Sequence, residues 1–258
     1  CSNILSRNLM IVGQGAIRCH PFVLKEMSLA GREDKDQALK EFDGLLLKHI
    51  GFAVGNAAST LMLNLGFGHF EQAPGDKISQ GYFRALNRQA AAFAMLADFS
   101  MMLLGGELKR RERLSARLGD VLSNLYLASA SLKRYHDLDS PAYMEPLFRW
   151  AMEESLGQSE RALDELLSNF PNKVFGCLLR VIVFPFGRRH KGPSDKLGAE
   201  VAGVIGRAKG EPALEELLAG CYRPQSADDA VGALQHASDL LHAAQPLHKK
   251  LHTSLKSG

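Results

Sequence analysis

Residues 36–65 read DQALKEFDGLLLKHIGFAVGNAASTLMLNL, and this stretch sets the fold expected for the chain. Its apolar and small residues recur at intervals of three and four, the spacing that places side chains on one face of an α-helix. Asp34 or Asp36 is predicted to cap the start of this helix, because a carboxylate accepts hydrogen bonds from the free amide groups there. The face predicted to be buried comprises Leu39, Phe42, Leu46, His49, Ile50, Ala53, Ala57, Leu61 and Leu65.

Most of the remaining sequence shows the same helical periodicity. Gly13 and Gly15 are predicted to end the first helix, because glycine readily adopts the positive φ of a helix C-cap. The apolar stretch 173–184 is rich in β-branched residues and could form a strand, but no partner strand of similar character occurs, which favours a buried helix. The predicted fold class is therefore all-α, built of helical bundles. Further helices are predicted at residues 2–12, 21–30, 79–104, 107–136, 141–169, 173–184, 195–205, 211–219 and 227–251.

Composition and charge exclude several classes of protein. The 258 residues carry a formal net charge of +3, which is too small for the basic surface of a nucleic-acid-binding protein. No run of about 18 uncharged apolar residues occurs, so no membrane-spanning helix is expected. Cys1, Cys19, Cys177 and Cys221 are widely spaced and form no CxxC pair. This spacing argues against a zinc ribbon or a disulfide framework and favours reduced thiols in the cytoplasm.

Titratable residues on the predicted helices form no recognisable catalytic group. His248 and His252 lie four residues apart, but no supporting carboxylate occurs at a useful spacing, so no metal site is predicted. Glu153, Glu154 and Glu160 lie beside arginines and are predicted to be salt-bridged surface residues. No serine or cysteine nucleophile has a histidine partner in a familiar context.

One loop is a candidate for binding. Arg188, Arg189 and Lys191 precede a predicted helix start at Ser194 or Asp195, where free backbone N–H groups favour anions. The apolar stretch VIVFPF comes just before them, so contact with a membrane surface is an alternative interpretation. From the residues alone, a non-catalytic helical module for oligomerisation, partner binding or membrane-surface binding remains open.

Several longer blocks are similar to one enzyme family. They are SNILSR at residues 2–7, GQGAIRCHP at 13–21, GGELKRRERLSARLGDVLS at 105–123, LFRWAME at 147–153 and FPFGRRHKGPSD at 184–195. The first two resemble the exit from the catalytic turn of the long bacterial acyl-CoA dehydrogenases, and the others resemble the carboxy-terminal extension of those enzymes. The resemblance covers nearly the whole chain and weakens beyond about residue 206.

The resemblance implies a domain division and a reaction. Residues 1–31 would be the tail of the catalytic helical domain, and residues 32–258 the bacterial-type extension. The family converts saturated acyl-CoA to trans-2-enoyl-CoA with FAD, in the first step of fatty acid β-oxidation, and passes the electrons to an electron-transfer flavoprotein. A homo-oligomer is also expected, because a helical bundle that is part of a larger fold should expose apolar surface and associate. The expected location is the cytoplasm, with peripheral contact at the inner membrane as a further expectation.

The implied active-site residues lie at the start of the chain. The catalytic glutamate of the family would stand immediately before Cys1, and Ser2 would replace a threonine whose hydroxyl approaches the flavin. The amino-terminal helical domain and the middle β-domain, which hold substrate and flavin in the family, have no counterpart in the sequence. The chain by itself is therefore expected to bind neither FAD nor acyl-CoA well and to have no turnover.

Overall fold

The computed structural model describes residues 10, 12–66, 68, 72–206, 212–222 and 229–256. Within these residues the backbone is helical and no strand is present, so the predicted all-α fold is confirmed. The helices are α1 (Ile17–Cys19), α2 (Val23–Ala30), α3 (Lys35–Leu65), α4 (Lys77–Leu104), α5 (Glu112–Asp137), α6 (Glu145–Ser168), α7 (Lys173–Val183), α8 (Asp195–Ile205), α9 (Pro212–Leu217) and α10 (Ala230–Lys256).

The chain divides into two compact units. Unit 1 comprises Cys1–Pro141 together with Leu147–Pro193, and unit 2 comprises Ala142–Pro146 together with Ser194–Gly258. The domain boundary predicted after residue 31 stays a prediction. Helices α2 and α3, which lie on either side of that boundary, pack against each other within unit 1.

Helix α4 is the central element of unit 1. It packs against α3 and α5, and the side-chain amide of Gln89 donates to the carbonyl oxygen of Leu156 on α6. Removal of apolar side chains from water supplies the main stabilisation of such a core. The fully buried apolar side chains of unit 1 include Met95, Leu96, Leu118, Val121, Met152, Leu156, Leu163, Leu166, Phe170 and Leu179.

By length and composition alone, the segment Lys77–Lys109 is also apolar enough to cross a membrane. This segment nevertheless contains two buried charged residues, Arg88 and Asp98. Arg88 pairs with Glu160, and Asp98 pairs with His49, both on other helices of unit 1. Such pairing is what a core helix of a folded bundle requires, because a buried charge is costly without a partner.

The predicted buried face of α3 is only partly correct. His49 and Ala53 are buried as expected, but Leu39, Ile50 and Leu65 are exposed. The side chains that face the interior are small or polar, and the large apolar side chains lie mostly outside. Spacing predicts the helix but not its buried side, because small residues satisfy close helix packing as well as leucine does. The buried residues of α3 are Ala38, His49, Ala53, Thr60 and Asn64.

Glycine did not end the first helix as predicted. Residues 2–9 and 11 lie outside the described part of the chain, but residues 12–16 form a π-helical turn that continues into α1. Neither Gly13 nor Gly15 has a positive φ, and the helical backbone ends at His20, which is extended. Glycine permits a left-handed cap without requiring one, so the prediction was wrong.

Two further helix starts differ from the prediction. Helix α5 begins at Glu112 instead of residue 107, because Gly105–Lys109 forms a 3₁₀ segment that buries Leu108. Helix α6 begins at Glu145 instead of residue 141. Asp139 and Ser140 adopt left-handed φ angles of 58° and 52°, and their N–H groups donate to the last carbonyls of α5. Both residues therefore close one helix instead of capping the next.

The remaining helices follow the prediction more closely. Residues 173–183 form a helix and not a strand, with Asn172 as the N-cap. In unit 2 the hydroxyl of Ser194 caps α8 by accepting from the amide of Leu197. Helix α10 extends to Lys256, beyond the predicted end at residue 251, and contains Pro246.

The loop 184–193 approaches α6 closely at one glycine. A Cβ added to Gly157 would lie 2.6 Å from the amide nitrogen of Gly192, and Gly192 itself has a φ of +104°. No side chain fits at residue 157 unless the loop moves. The position of the loop therefore depends on Gly157.

We predict that Gly157→Ala lowers the free energy of unfolding by about 1–3 kcal/mol, because the added methyl group overlaps the loop backbone. Gly44→Ala on α3 is the matched control, since a Cβ there would meet no atom within 4 Å. The control should leave stability unchanged or raise it by about 0.5–1 kcal/mol through helix propensity. Urea unfolding monitored by circular dichroism measures both, and equal effects would contradict the close approach.

Candidate functional site

A cavity of about 410 Å³ lies in unit 1 beside the C-terminal end of α3, the first turns of α4 and the loop that contains Arg189. We call it the basic pocket. Four of its side chains carry a permanent positive charge, and none of its described lining residues is acidic. The lining residues are Leu63, Gly66, Gly68, Lys77, Ile78, Gly81, Tyr82, Arg84, Ala85, Arg88, Arg189 and His190.

A single buried carboxylate, that of Glu160, joins the helices around this pocket. Its Oε1 accepts from Arg88 Nη2 at 2.9 Å and from Gln89 Nε2 at 3.3 Å. Its Oε2 accepts from the backbone N–H groups of Arg189 and His190 at 2.8 and 2.9 Å. Glu160 is 2% exposed, so the prediction of a surface salt bridge was wrong for this residue.

The predicted anion loop is divided between two places. Arg189 lines the basic pocket, and its Nη2 donates to the backbone carbonyl oxygen of Asn64 at 2.6 Å. Arg188 does not line the pocket, and its guanidinium donates to the carbonyl oxygen of Gly157 on α6 at 3.4 Å. Lys191 is exposed and also lies outside the lining. The structure thus brings Arg189 together with Arg88, which the sequence did not single out.

Charges near the pocket shift two pKa values. Burial lowers the pKa of Arg88, Glu160 raises it in part, and the neighbouring positive charge of Arg189 lowers it further. The hydrogen bond with His190 lowers the pKa of Glu153, although partial burial opposes that effect. Glu153 also accepts from the Tyr82 hydroxyl at 3.0 Å. The carboxylate of Glu153 therefore fixes one wall of the pocket while remaining ionised.

A second polar cluster lies where residues near the chain start meet α2, α3 and α4. His49 Nε2 lies 2.8 Å from Asp98 Oδ1, and His49 Nδ1 lies 2.7 Å from Glu26 Oε1. His20 Nε2 lies 3.2 Å from the same Asp98 oxygen. The side chains of His20, His49 and Asp98 are at most 9% exposed. We call these four residues, His20, Glu26, His49 and Asp98, the histidine cluster.

The ligand atoms of the histidine cluster are close enough to hold a metal ion, but the tautomer of His20 does not suit one. Ligand atoms of His20, His49 and Asp98 lie within 4.8 Å of one another. However, His20 Nδ1 accepts from the amides of Phe22 and Val23, both at 3.3 Å, at the start of α2. In a neutral imidazole the proton then resides on Nε2, the atom that would have to bind the metal. The arrangement favours a hydrogen-bond network centred on Asp98.

The two histidines of this cluster are shifted in opposite directions. Burial would lower the pKa of His49, but hydrogen bonds to Asp98 and Glu26 outweigh it and raise the pKa above its ordinary value of 6.5. Burial lowers the pKa of His20, and Asp98 compensates only in part. The network therefore favours the protonated form of His49, between two carboxylates, and the neutral form of His20.

An apolar cavity of about 570 Å³ lies next to His20 in unit 1. Residues of the π-helical turn, α1, α3, α4 and α5 surround it. Apart from His20 and Asn56, its lining side chains are apolar or very small, so the cavity offers shape and apolar contact but little specific polar recognition. Its lining includes Val12, Gly15, Ala16, Cys19, Pro21, Phe52, Phe93, Ala94, Ala97, Met101, Leu108, Leu118 and Leu122.

Ser2, the predicted flavin contact, lies outside the described residues. His248 and His252 are exposed on α10. Sequence reasoning missed Glu160, Arg88 and the histidine cluster. The signal available was the presence of charged residues within the apolar patterns of α4 and α6, since charges on a core face need partners.

Comparison with known proteins defines the class. The family model described as "Acyl-CoA dehydrogenase, C-terminal, bacterial type" matches residues 17–258, which is nearly the whole chain. No solved structure matches the chain. The chain therefore belongs to the acyl-CoA dehydrogenases and carries their bacterial-type C-terminal domain, which confirms the resemblance in the sequence.

The opposite shifts of the two histidines predict how stability depends on pH. A raised pKa for His49 stabilises the fold fully below 6.5, and this contribution is lost as pH rises through the folded-state pKa. A lowered pKa for His20 favours the unfolded state as pH falls below 6.5. Asp98 raises the pKa of both residues, so its carboxylate matters most on the acidic side.

We predict that Asp98→Asn lowers the free energy of unfolding by about 3 kcal/mol near pH 6, and by progressively less as pH rises towards 9. Urea unfolding at a series of pH values provides the measurement, and histidine NMR titration reports the two pKa values directly. Asp43→Asn, at an exposed position of α3, is the control and should show no such trend. A loss of stability that is constant across this range would contradict the network.

Proposed function

We propose that this chain is the C-terminal part of an FAD-dependent acyl-CoA dehydrogenase that converts saturated acyl-CoA to trans-2-enoyl-CoA. The observation that carries the proposal is the family match over residues 17–258. In the proposed reaction a glutamate removes a proton from the acyl α-carbon, and the β-hydrogen leaves as hydride to the flavin. The electrons then pass to an electron-transfer flavoprotein, as in the first step of fatty acid β-oxidation.

The role proposed for the described residues is structural support of the active site. Residues 12–20 overlap the second block that resembles the exit from the catalytic turn, and His20 fixes their end by capping α2 and contacting Asp98. Asp98 in turn contacts His49 on α3. This network would hold the exit of the turn in one position relative to the bundle.

The proposed location is the cytoplasm, with peripheral contact at the inner membrane. The feature that supports membrane contact is the end of α7 and the loop after it, where Val181 is 63% and Phe186 is 69% exposed. Lys191, which follows Phe186 in the same loop, is also exposed. Exposed apolar side chains with adjacent positive charge are typical of a membrane-surface contact.

The enzymatic proposal is tested with the full-length protein that carries this chain. We expect a flavin absorbance spectrum from the purified protein and palmitoyl-CoA-dependent reduction of an electron-accepting dye. Glutamine in place of the glutamate expected immediately before Cys1 should abolish reduction while leaving the flavin spectrum. The 258-residue chain is the comparison and should show neither signal. A full-length protein that binds flavin but oxidises no acyl-CoA would refute the reaction.

A second role, self-association, is favoured by the outer face of α3. Leu39, Leu47 and Val54 are 61%, 70% and 61% exposed, and Ile50 is 43% exposed on the same side of the helix. Contiguous exposed apolar side chains of this kind mark surfaces that become covered by a partner. A second copy of the chain is the proposed partner, consistent with the homo-oligomer expected from the sequence.

We predict that the chain sediments as an oligomer and that the double substitution Leu47→Lys and Val54→Lys shifts it to the monomer. Two charges at the centre of an apolar contact would be desolvated without partners on association. Analytical ultracentrifugation measures the mass, and Lys48→Gln, at an exposed position between them, is the control. A wild-type monomer would argue against self-association, and so would an oligomer that tolerates both lysines.

A further inference from the structure

The basic pocket has no part in the proposed reaction, yet it concentrates positive charge around an open space. We propose that this pocket binds a phosphoryl group, carried either by a small soluble phosphate compound or by a phospholipid headgroup. The inference rests on the geometry of the pocket and is independent of the proposed dehydrogenase function.

The charged side chains that line the basic pocket favour a bound anion. Lys77, Arg88 and Arg189 line the pocket, and the buried carboxylate of Glu160 pairs with Arg88. That one carboxylate already accepts from four donors and has little capacity left. Within the described part of the chain, neither Lys77 nor Arg189 forms an ion pair with a carboxylate, so both charges remain available to an anion.

The contacts of the positively charged side chains in the basic pocket also favour a bound anion. The hydrogen bond from the Arg189 guanidinium goes to the carbonyl oxygen of Asn64, a neutral group. Among the described residues, Lys77 forms no ion pair, and its side chain is at the exposed rim. Arg88 and Arg189 are near enough for their charges to oppose each other. An anion between them would relieve that repulsion, because guanidinium groups bind phosphate with two parallel hydrogen bonds.

The basic pocket is large enough for a small phosphate compound. A volume of about 410 Å³ lies within the usual range of about 300–1,000 Å³ for small-molecule sites. Gly66 and Gly81 contribute no side chain, and a Cβ added to either would meet no atom within 4 Å. Small lining residues and several donors are suited to a multiply charged anion.

The test titrates the full 258-residue chain with inorganic pyrophosphate by isothermal titration calorimetry at constant ionic strength. We expect saturable binding with one site per chain. Lys77→Gln and Arg189→Gln should each raise Kd by about tenfold or more, because each removes a charged hydrogen-bond donor. Lys25→Gln is the matched control, since it removes an exposed charge of unit 1 outside the lining. Circular dichroism melting checks that each variant remains folded.

A parallel experiment separates the two sources of phosphate. The same variants are sedimented with vesicles of phosphatidylcholine that contain phosphatidic acid, and with vesicles of phosphatidylcholine alone. Loss of phosphatidic-acid binding in Lys77→Gln and Arg189→Gln, but not in Lys25→Gln, would identify a lipid headgroup site. Pyrophosphate binding without vesicle binding would identify a soluble phosphate. Binding of neither probe, or equal weakening by all three substitutions, would overturn the proposal.

Discussion

The carboxylate of Glu160 is the contact on which the arrangement of unit 1 depends most. It is buried on α6, and its four hydrogen-bond donors come from α4 and from the loop at residues 189–190. A buried carboxylate is tolerated only when its charge is paired and its lone pairs are filled, and here both conditions are met. Removal of Arg88 would leave the charge unbalanced inside the bundle, and loss of a neutral donor would leave a lone pair unfilled. The helices and the loop are thus constrained together by one side chain.

Helix α4 links this contact to the histidine cluster. Arg88 reaches Glu160 on one part of the helix. Asp98, ten residues later, contacts His49 through a hydrogen bond and lies 3.2 Å from His20 Nε2. Both clusters combine a buried charge of α4 with opposite charge from a neighbouring element. Apolar packing around Met95 and Leu96 lies between them in the sequence. Hydrophobic burial drives the helices together, and the charged pairs restrict which faces can meet, since a mismatched face would leave a charge buried alone.

The sequence predicted the fold well where a rule depends on neighbouring residues. Helical spacing located α3, α4 and α7, and the caps at Asp34 and Ser194 were anticipated because an acceptor side chain at a helix start acts locally. Prediction was less successful where a residue had two roles available. Gly13 could have capped a helix but remained helical, and Asp139 closed α5 instead of opening α6.

By itself, the sequence determined the all-α class, most helix positions and membership of the acyl-CoA dehydrogenases, because periodicity and long matching blocks are carried by residue order. Only the tertiary structure decided that Glu160 is buried, that Arg189 and not Arg188 lines the basic pocket, and that His20 meets His49 across Asp98. These contacts join residues between 29 and 125 positions apart in the chain. Which distant charges become partners is decided by how the helices pack, and no local pattern specifies it.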